Sequence, residues 1–209
     1  MRERMHALGP VALALGLLLV LGGCGRGPAP STGPKPVAPT PISRLNTEAL
    51  QLARVDFCDL VPANAIRDAL GGSGTGRQKS WRNGDPAQVD KGVVDVVHEY
   101  GCSWARAGQT ASAWLFARSV TPKYARAVID KTSRRKGCTT SSGPQFGTPS
   151  QRQVCTLPDG SHRVRLSGLF RDVWLTCQVS GPAGAPERTL GTRADAWCVQ
   201  VANVTNTSR

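Results

Sequence analysis

The chain has 209 residues, with 26 Lys and Arg against 14 Asp and Glu, seven cysteines, 15 prolines and 23 glycines. That is the size of one medium domain plus non-globular extras. Aromatic residues are only 5%, yet 40% of the chain is hydrophobic and alternating runs are clear, which excludes a disordered or fibrous chain over most of its length.

Residues 1–23 carry Arg2 and Arg4, then the apolar run Val11 to Leu21, then Gly22-Gly23, the order of a secretory signal that is cleaved from the mature protein. The run of 11 residues is short of the roughly 17–25 that a membrane-crossing helix needs. Leu21-Gly22-Gly23-Cys24 resembles a bacterial lipobox, which implies cleavage before Cys24 and diacylation of its thiol. Two acyl chains, at about 0.8 kcal/mol per buried CH₂, hold a domain on a membrane that one chain would release. Residues 25–41 contain six prolines and three glycines and read as an extended tether of about 3.1 Å per residue. The predicted organisation is a signal at 1–23, a lipidated cysteine and disordered Pro-rich linker at 24–43, and one globular domain at 44–209.

Within that domain, Cys58 to Leu70 predicts a helix with Asp59 as cap, Pro62 in the first turn and Gly71 as the stop. Residues 71–92 lack apolar period and read as a long loop. Val93 to Trp104 and Thr110 to Val120 predict two strands on a tight turn. Thr121-Pro122 opens a second helix with Tyr124, Ala125, Val128, Ile129 and Thr132 on one face and basic residues mostly off it. Gln153 to Leu157 and Arg163 to Phe170 form a second predicted hairpin, and Asp172 to Val179 alternates Val173, Leu175, Cys177 and Val179 against Trp174, Thr176 and Gln178. A closing helix is expected from about Arg193 to Val204. Short turns demand antiparallel pairing, so the expected fold is α+β, one antiparallel sheet with helices packed on a face.

Apart from Cys24, the cysteines are Cys58, Cys102, Cys138, Cys155, Cys177 and Cys198, an even set in an exported chain, for which disulfides are the default. Six thiols allow 15 pairings. The set 58–102, 138–155 and 177–198 is preferred because each bond joins neighbours in the element order. No Cys-x-x-Cys and no Cys/His pair at ligand spacing occurs, so neither a metal nor a thiol redox centre is expected, and no cofactor signature is present.

Cys58-Asp-Leu-Val, then Tyr100-Gly-Cys-Ser-Trp104, then Ala196-Trp-Cys-Val199 resemble a family of actinobacterial disulfide-containing lipoproteins whose domain has no assigned function. The outline is also similar to the extracellular sensor domains of actinobacterial receptor serine/threonine kinases. The resemblance implies a disulfide-bonded α+β fold outside the membrane and brings no catalytic residues with it.

His98 beside Asp95 and Glu99, and His162 beside Asp159 and Ser161, are the histidines available for acid–base chemistry. The carboxylates flanking His98 fall on the opposite strand face, and Pro158-Asp-Gly-Ser161 is already a complete turn signal. Gly71 to Arg77 lacks the Gly-Lys-Ser/Thr ending of a phosphate loop. Removing Arg2, Arg4 and Glu3 takes the formal charge from +12 to +11, and Lys131, Arg134, Arg135 and Lys136 form its densest cluster, a candidate polyanion contact. The expected function is a non-enzymatic binding or sensor-like module on the outer face of the cell membrane. Its expected partners are the membrane through the anchor, and an anionic lipid, a cell-wall polymer or a protein; nucleic acid is not expected. The alternative is an envelope hydrolase or transferase, which needs a pocket joining a histidine to a carboxylate and a nucleophile.

Overall fold

The computed structural model describes residues 40–141 and 143–208; the signal, Cys24 and the tether up to residue 39 lie outside the described residues. The first described segment already packs. Ile42, in the 3₁₀ turn Ile42–Arg44, is buried with Leu50 and Leu52, so the end of the expected linker joins the core. Leu52 bridges Asn206, so the two ends of the described chain lie side by side.

The helix expected from Cys58 is split. Cys58–Leu60 is a single 3₁₀ turn, and α1 (Ala63–Leu70) starts only after Pro62. A residue before proline is driven out of the helical region, and Val61 is accordingly extended at ψ 120°. Asp59 caps neither turn; the carboxylate of Asp56 accepts the Cys58 N–H at 3.2 Å. Gly71 ends α1 in the left-handed conformation at φ 63°, its N–H donating to the Asp68 carbonyl.

The loop expected at 71–92 contains two strands. β1 (Arg77–Trp81) pairs with β4 (Glu99–Arg106) at the edge of the main sheet. β2 (Pro86–Asp90) and β3 (Val93–Val96) form a separate antiparallel ribbon. The expected single strand from Val93 to Trp104 is therefore broken at Val97 and His98. Its first half is apolar without being core, since Val93, Val94 and Val96 are all exposed. Only Trp81 of β1 is even half-buried, which is why edge pairing left no apolar period to read.

The remaining strands are β5 (Gln109–Phe116), β6 (Cys138–Thr140), β7 (Ser150–Thr156), β8 (His162–Phe170) and β9 (Val173–Gly181). They complete a seven-stranded antiparallel sheet in the order β1-β4-β5-β9-β8-β7-β6. The fold is the expected α+β class. The alternation read along β9 holds: Val173, Leu175, Cys177 and Val179 pack with Val164, Leu166, Ala113 and Leu115 beneath α1 and α3 (Glu187–Thr205). Trp197 of α3 anchors this face, its indole N–H donating to the Ser112 carbonyl at 3.0 Å and its ring packing T-shaped with Trp104, centroids 5.4 Å apart.

Helices occupy both faces rather than one. Trp174 and Leu169, neighbours on β9 and β8, point the other way and pack with Ala125, Val128 and Ile129 of α2 (Pro122–Ser133) and with Val120 and Phe116. Thr121 caps α2, accepting the Tyr124 N–H at 3.2 Å. Tyr124, expected on the apolar face, is exposed instead, because the second core covers only the middle of the helix. α3 begins at Glu187, six residues before the expected start, because its buried stripe extends back through Ala194 to Leu190. Among the described residues no helix is long and apolar enough to cross a membrane.

Three disulfides, Cys58–Cys102, Cys138–Cys155 and Cys177–Cys198, tie the turn before α1 to β4, β6 to β7, and β9 to α3. They follow the element order, each bond joining segments that pack or pair directly.

Candidate functional site

Four basic residues cluster where α2 runs into β6. Lys131 lies in the last helical turn, Arg134 ends the helix, and Arg135 and Lys136 continue into the turn before Cys138. All four are exposed. What fixes this end of α2 over the sheet is polar. Thr132 Oγ1 lies 2.7 Å from Gln151 Oε1, and Gln153 Nε2 donates to the Thr132 carbonyl at 2.7 Å. Both glutamines belong to β7 and are buried on the α2 face.

This clamp brings Arg135 to two further arginines. Arg163 and Arg165 alternate along β8 with the core residues Val164 and Leu166, so both stand on the α2 face. The Arg165 guanidinium lies over Trp114, 5.3 Å from the ring centroid, and donates from Nε and Nη2 to Gln178 Oε1 at 2.9 and 2.7 Å. Burial, followed by the charges of Arg163 and Arg135, pulls the Arg165 pKa down to about 9. Burial and the Arg135 charge lower that of Arg163 too. The ion pairs among the described residues are Arg54–Asp172, Arg82–Asp56 and Arg152–Asp195, so no carboxylate neutralises Arg135, Arg163 or Arg165. Arg163 Nε is buried without a hydrogen-bond partner. Between α2 and the sheet, Arg135, Arg165, Gln153, Ser167 and Trp114 help to line a recess of about 90 Å³.

Of the four predicted contact residues, the structure draws only Arg135 into this recess. Arg163, Arg165, Trp114 and Gln178 were not singled out. The signal was an Arg-x-Arg alternation opposite a strand that alternates Trp174, Thr176 and Gln178 on the face away from α3.

The histidines do not assemble a catalytic centre. His98 is exposed at the rim of a groove of about 590 Å³ that also includes Glu99, Phe116, Arg118, Ser119 and Tyr124. Ser119, a hydroxyl in that groove, donates to Asp172 Oδ2 at 2.8 Å, and Arg54 holds the same oxygen at 2.7 Å. A serine spent on a carboxylate that is itself ion-paired has no base to activate it. His162 Nδ1 lies 3.5 Å from Thr156 Oγ1, while Asp159 accepts from Ser161 Oγ and N–H at 2.6 and 3.0 Å and closes its own turn. Gly71 to Arg77 follows the C-terminal end of α1, where the helix dipole repels anions. Among the described residues no group of three or more His, Cys, Asp or Glu is placed to hold a metal ion.

Fold and site together define a disulfide-stapled antiparallel α+β domain with an unneutralised guanidinium cluster on one sheet face. No protein-family model and no curated protein matches the chain. Among solved structures it is similar to the extracellular domain of PknH from Mycobacterium tuberculosis, with a TM-score of 0.43 and 11% identity over 73% of this chain and 98% of that chain.

Proposed function

We propose that this protein is an exported lipoprotein, held by an acylated Cys24 on the outer face of the cell membrane. Residues 25–41 space the domain from the lipid surface, and the domain binds an acidic component of the envelope without transforming it. The observation that carries the reading is that Arg135 and Arg165 line one recess, with Arg163 on the same strand face and no carboxylate ion-paired to any of the three among the described residues. Three disulfides support an oxidising compartment, where such bonds form and persist. Outside the cell, polyanions are lipid headgroups and wall polymers rather than nucleic acid.

The test is the intact mass of the full-length protein extracted from membranes, before and after reduction. A chain starting at Cys24, heavier by its acyl groups and gaining the six hydrogens of three reduced disulfides, is expected. Cys24→Ala is expected to lose the acyl mass and leave the membrane fraction. Recovery of unlipidated protein with reduced thiols from the cytosol would overturn the reading.

A further inference from the structure

The recess beneath the end of α2 is built, not incidental. Two of the five N–H groups of Arg165 go to Gln178, leaving three without a protein acceptor among the described residues. Gln178 is neutral, so it fixes the orientation of the fork without cancelling its charge. Trp114 lies against the guanidinium and prevents the side chain from swinging freely into water. Arg163 stands two residues along β8, outside the recess lining, with a buried, unpartnered Nε, and Arg135 stands exposed at the rim. A fold that desolvates like charges together bears a cost that an anion would relieve.

Geometry selects the anion. A planar carboxylate matches one fork and carries one charge. Here the donors come from two directions, Arg165 of β8 below and Arg135 at the end of α2 above, and Arg163 adds a third positive charge beside the recess. A phosphate group offers tetrahedrally disposed oxygens and a charge of about −1.5 to −2 at neutral pH. The recess, about 90 Å³, has room for roughly three waters or one such group. We propose that Arg135 and Arg165, the latter set over Trp114, form a binding site for a phosphate group, free or borne on a lipid headgroup, with Arg163 close by on the same strand face. Arg165 is the oriented bidentate donor, Arg135 closes the site from the rim, and Arg163 adds positive charge from outside the recess. This proposal rests on the acidic-ligand reading above and gives it a chemical class and a location.

The experiment titrates full-length protein carrying Cys24→Ala with inorganic phosphate, against sodium chloride at equal ionic strength, by calorimetry and by the NMR signals of the Arg165 Nε–H and Trp114 indole N–H. Saturable phosphate binding that moves both signals, and that chloride does not reproduce, is expected. Arg165→Gln and Arg135→Gln should each weaken it about tenfold or more, the loss of a hydrogen bond to a charged group. Lys123→Gln, on the outer surface of α2, should leave it unchanged. Gln178→Glu guards against misfolding as an explanation: a carboxylate beside Arg165 should abolish phosphate binding while raising the melting temperature. Vesicles of phosphatidylcholine with and without phosphatidic acid identify the source, since vesicle capture competed by phosphate assigns a headgroup and phosphate binding without capture assigns a free anion. Equal responses to phosphate and chloride would overturn the site. So would acidic-vesicle capture that survives Arg135→Gln/Arg165→Gln unchanged; that result would leave the acidic-envelope reading standing on Lys131, Arg134 and Lys136 instead.

Discussion

Glu99 shows how burial alone sets a charge. It opens β4 opposite Phe116, and desolvation raises its carboxyl above 4.5. With the folded value above the unfolded one, the fold favours the protonated acid. The contribution is intact below 4.5 and is lost as pH rises through the folded value. Glu99→Gln is therefore expected to raise the melting temperature at neutral pH and to change it little at a pH below the ordinary carboxylate range. An equal effect at both would show that packing, not charge, is responsible. Gly168, on β8, works by shape. A Cβ there would run into the Phe146 carbonyl, so the loop before β7 sits on the strand only because the residue has no side chain. Gly168→Ala should cost about 1–3 kcal/mol, seen as a lower denaturant midpoint at unchanged slope. Nothing in the local sequence marked this position, because the partner that demands glycine lies some twenty residues away. Gly101 is the same kind of case, its open face covered by the Trp81 ring.

Elements were legible in proportion to how much of their surface is buried. β9, central in the sheet, alternated plainly: Val173, Leu175, Cys177 and Val179 are core under α3, and of the other half Trp174 packs under α2. The α2 start was readable from Thr121-Pro122 because capping is local. β1 was not readable, since an edge strand needs only backbone pairing on one side, and the apolar β3 misled because its valines cover nothing. β6 was hidden by its length of three residues. Its disulfide acts where few other contacts do: Cys138 and Cys155 are directly opposed across the β6–β7 pair, closing a separation of 17 residues. Replacing both by Ala should cost about 3 kcal/mol on a chain-entropy estimate. Amide exchange should quicken at Thr139, Thr140 and the last turn of α2 while β9 stays protected. Loss of protection throughout the sheet would show that the bond supports the whole fold and not the edge that carries Arg135.

Over the whole molecule, the sign of the charge was legible from composition and its concentration at one recess was not. The helix end supplied Arg135, but Arg163 and Arg165 reach it only through the register of β8 against β7 and β9. The same excess has a consequence for stability. The positive excess, +11 once the signal is removed from the formal +12, repels itself in the compact state, and the three described ion pairs offset little of it. Arg82, for instance, keeps 64% of its side chain in water, and exposed pairs of that kind contribute at most about 1 kcal/mol. Salt weakens attraction and repulsion alike, so the larger of the two decides the direction. Raising sodium chloride shortens the screening length from about 30 Å at 0.01 M to about 8 Å at 0.15 M, short of the distances over which like charges on opposite sides of the domain interact. The melting temperature of the disulfide-intact protein is therefore expected to rise across that range. Phosphate at matched ionic strength should raise it further, because it fills a site as well as screening a field. A melting temperature that falls with chloride would mean that the ion pairs outweigh the net repulsion, and that the positive excess sits too far apart to strain the fold.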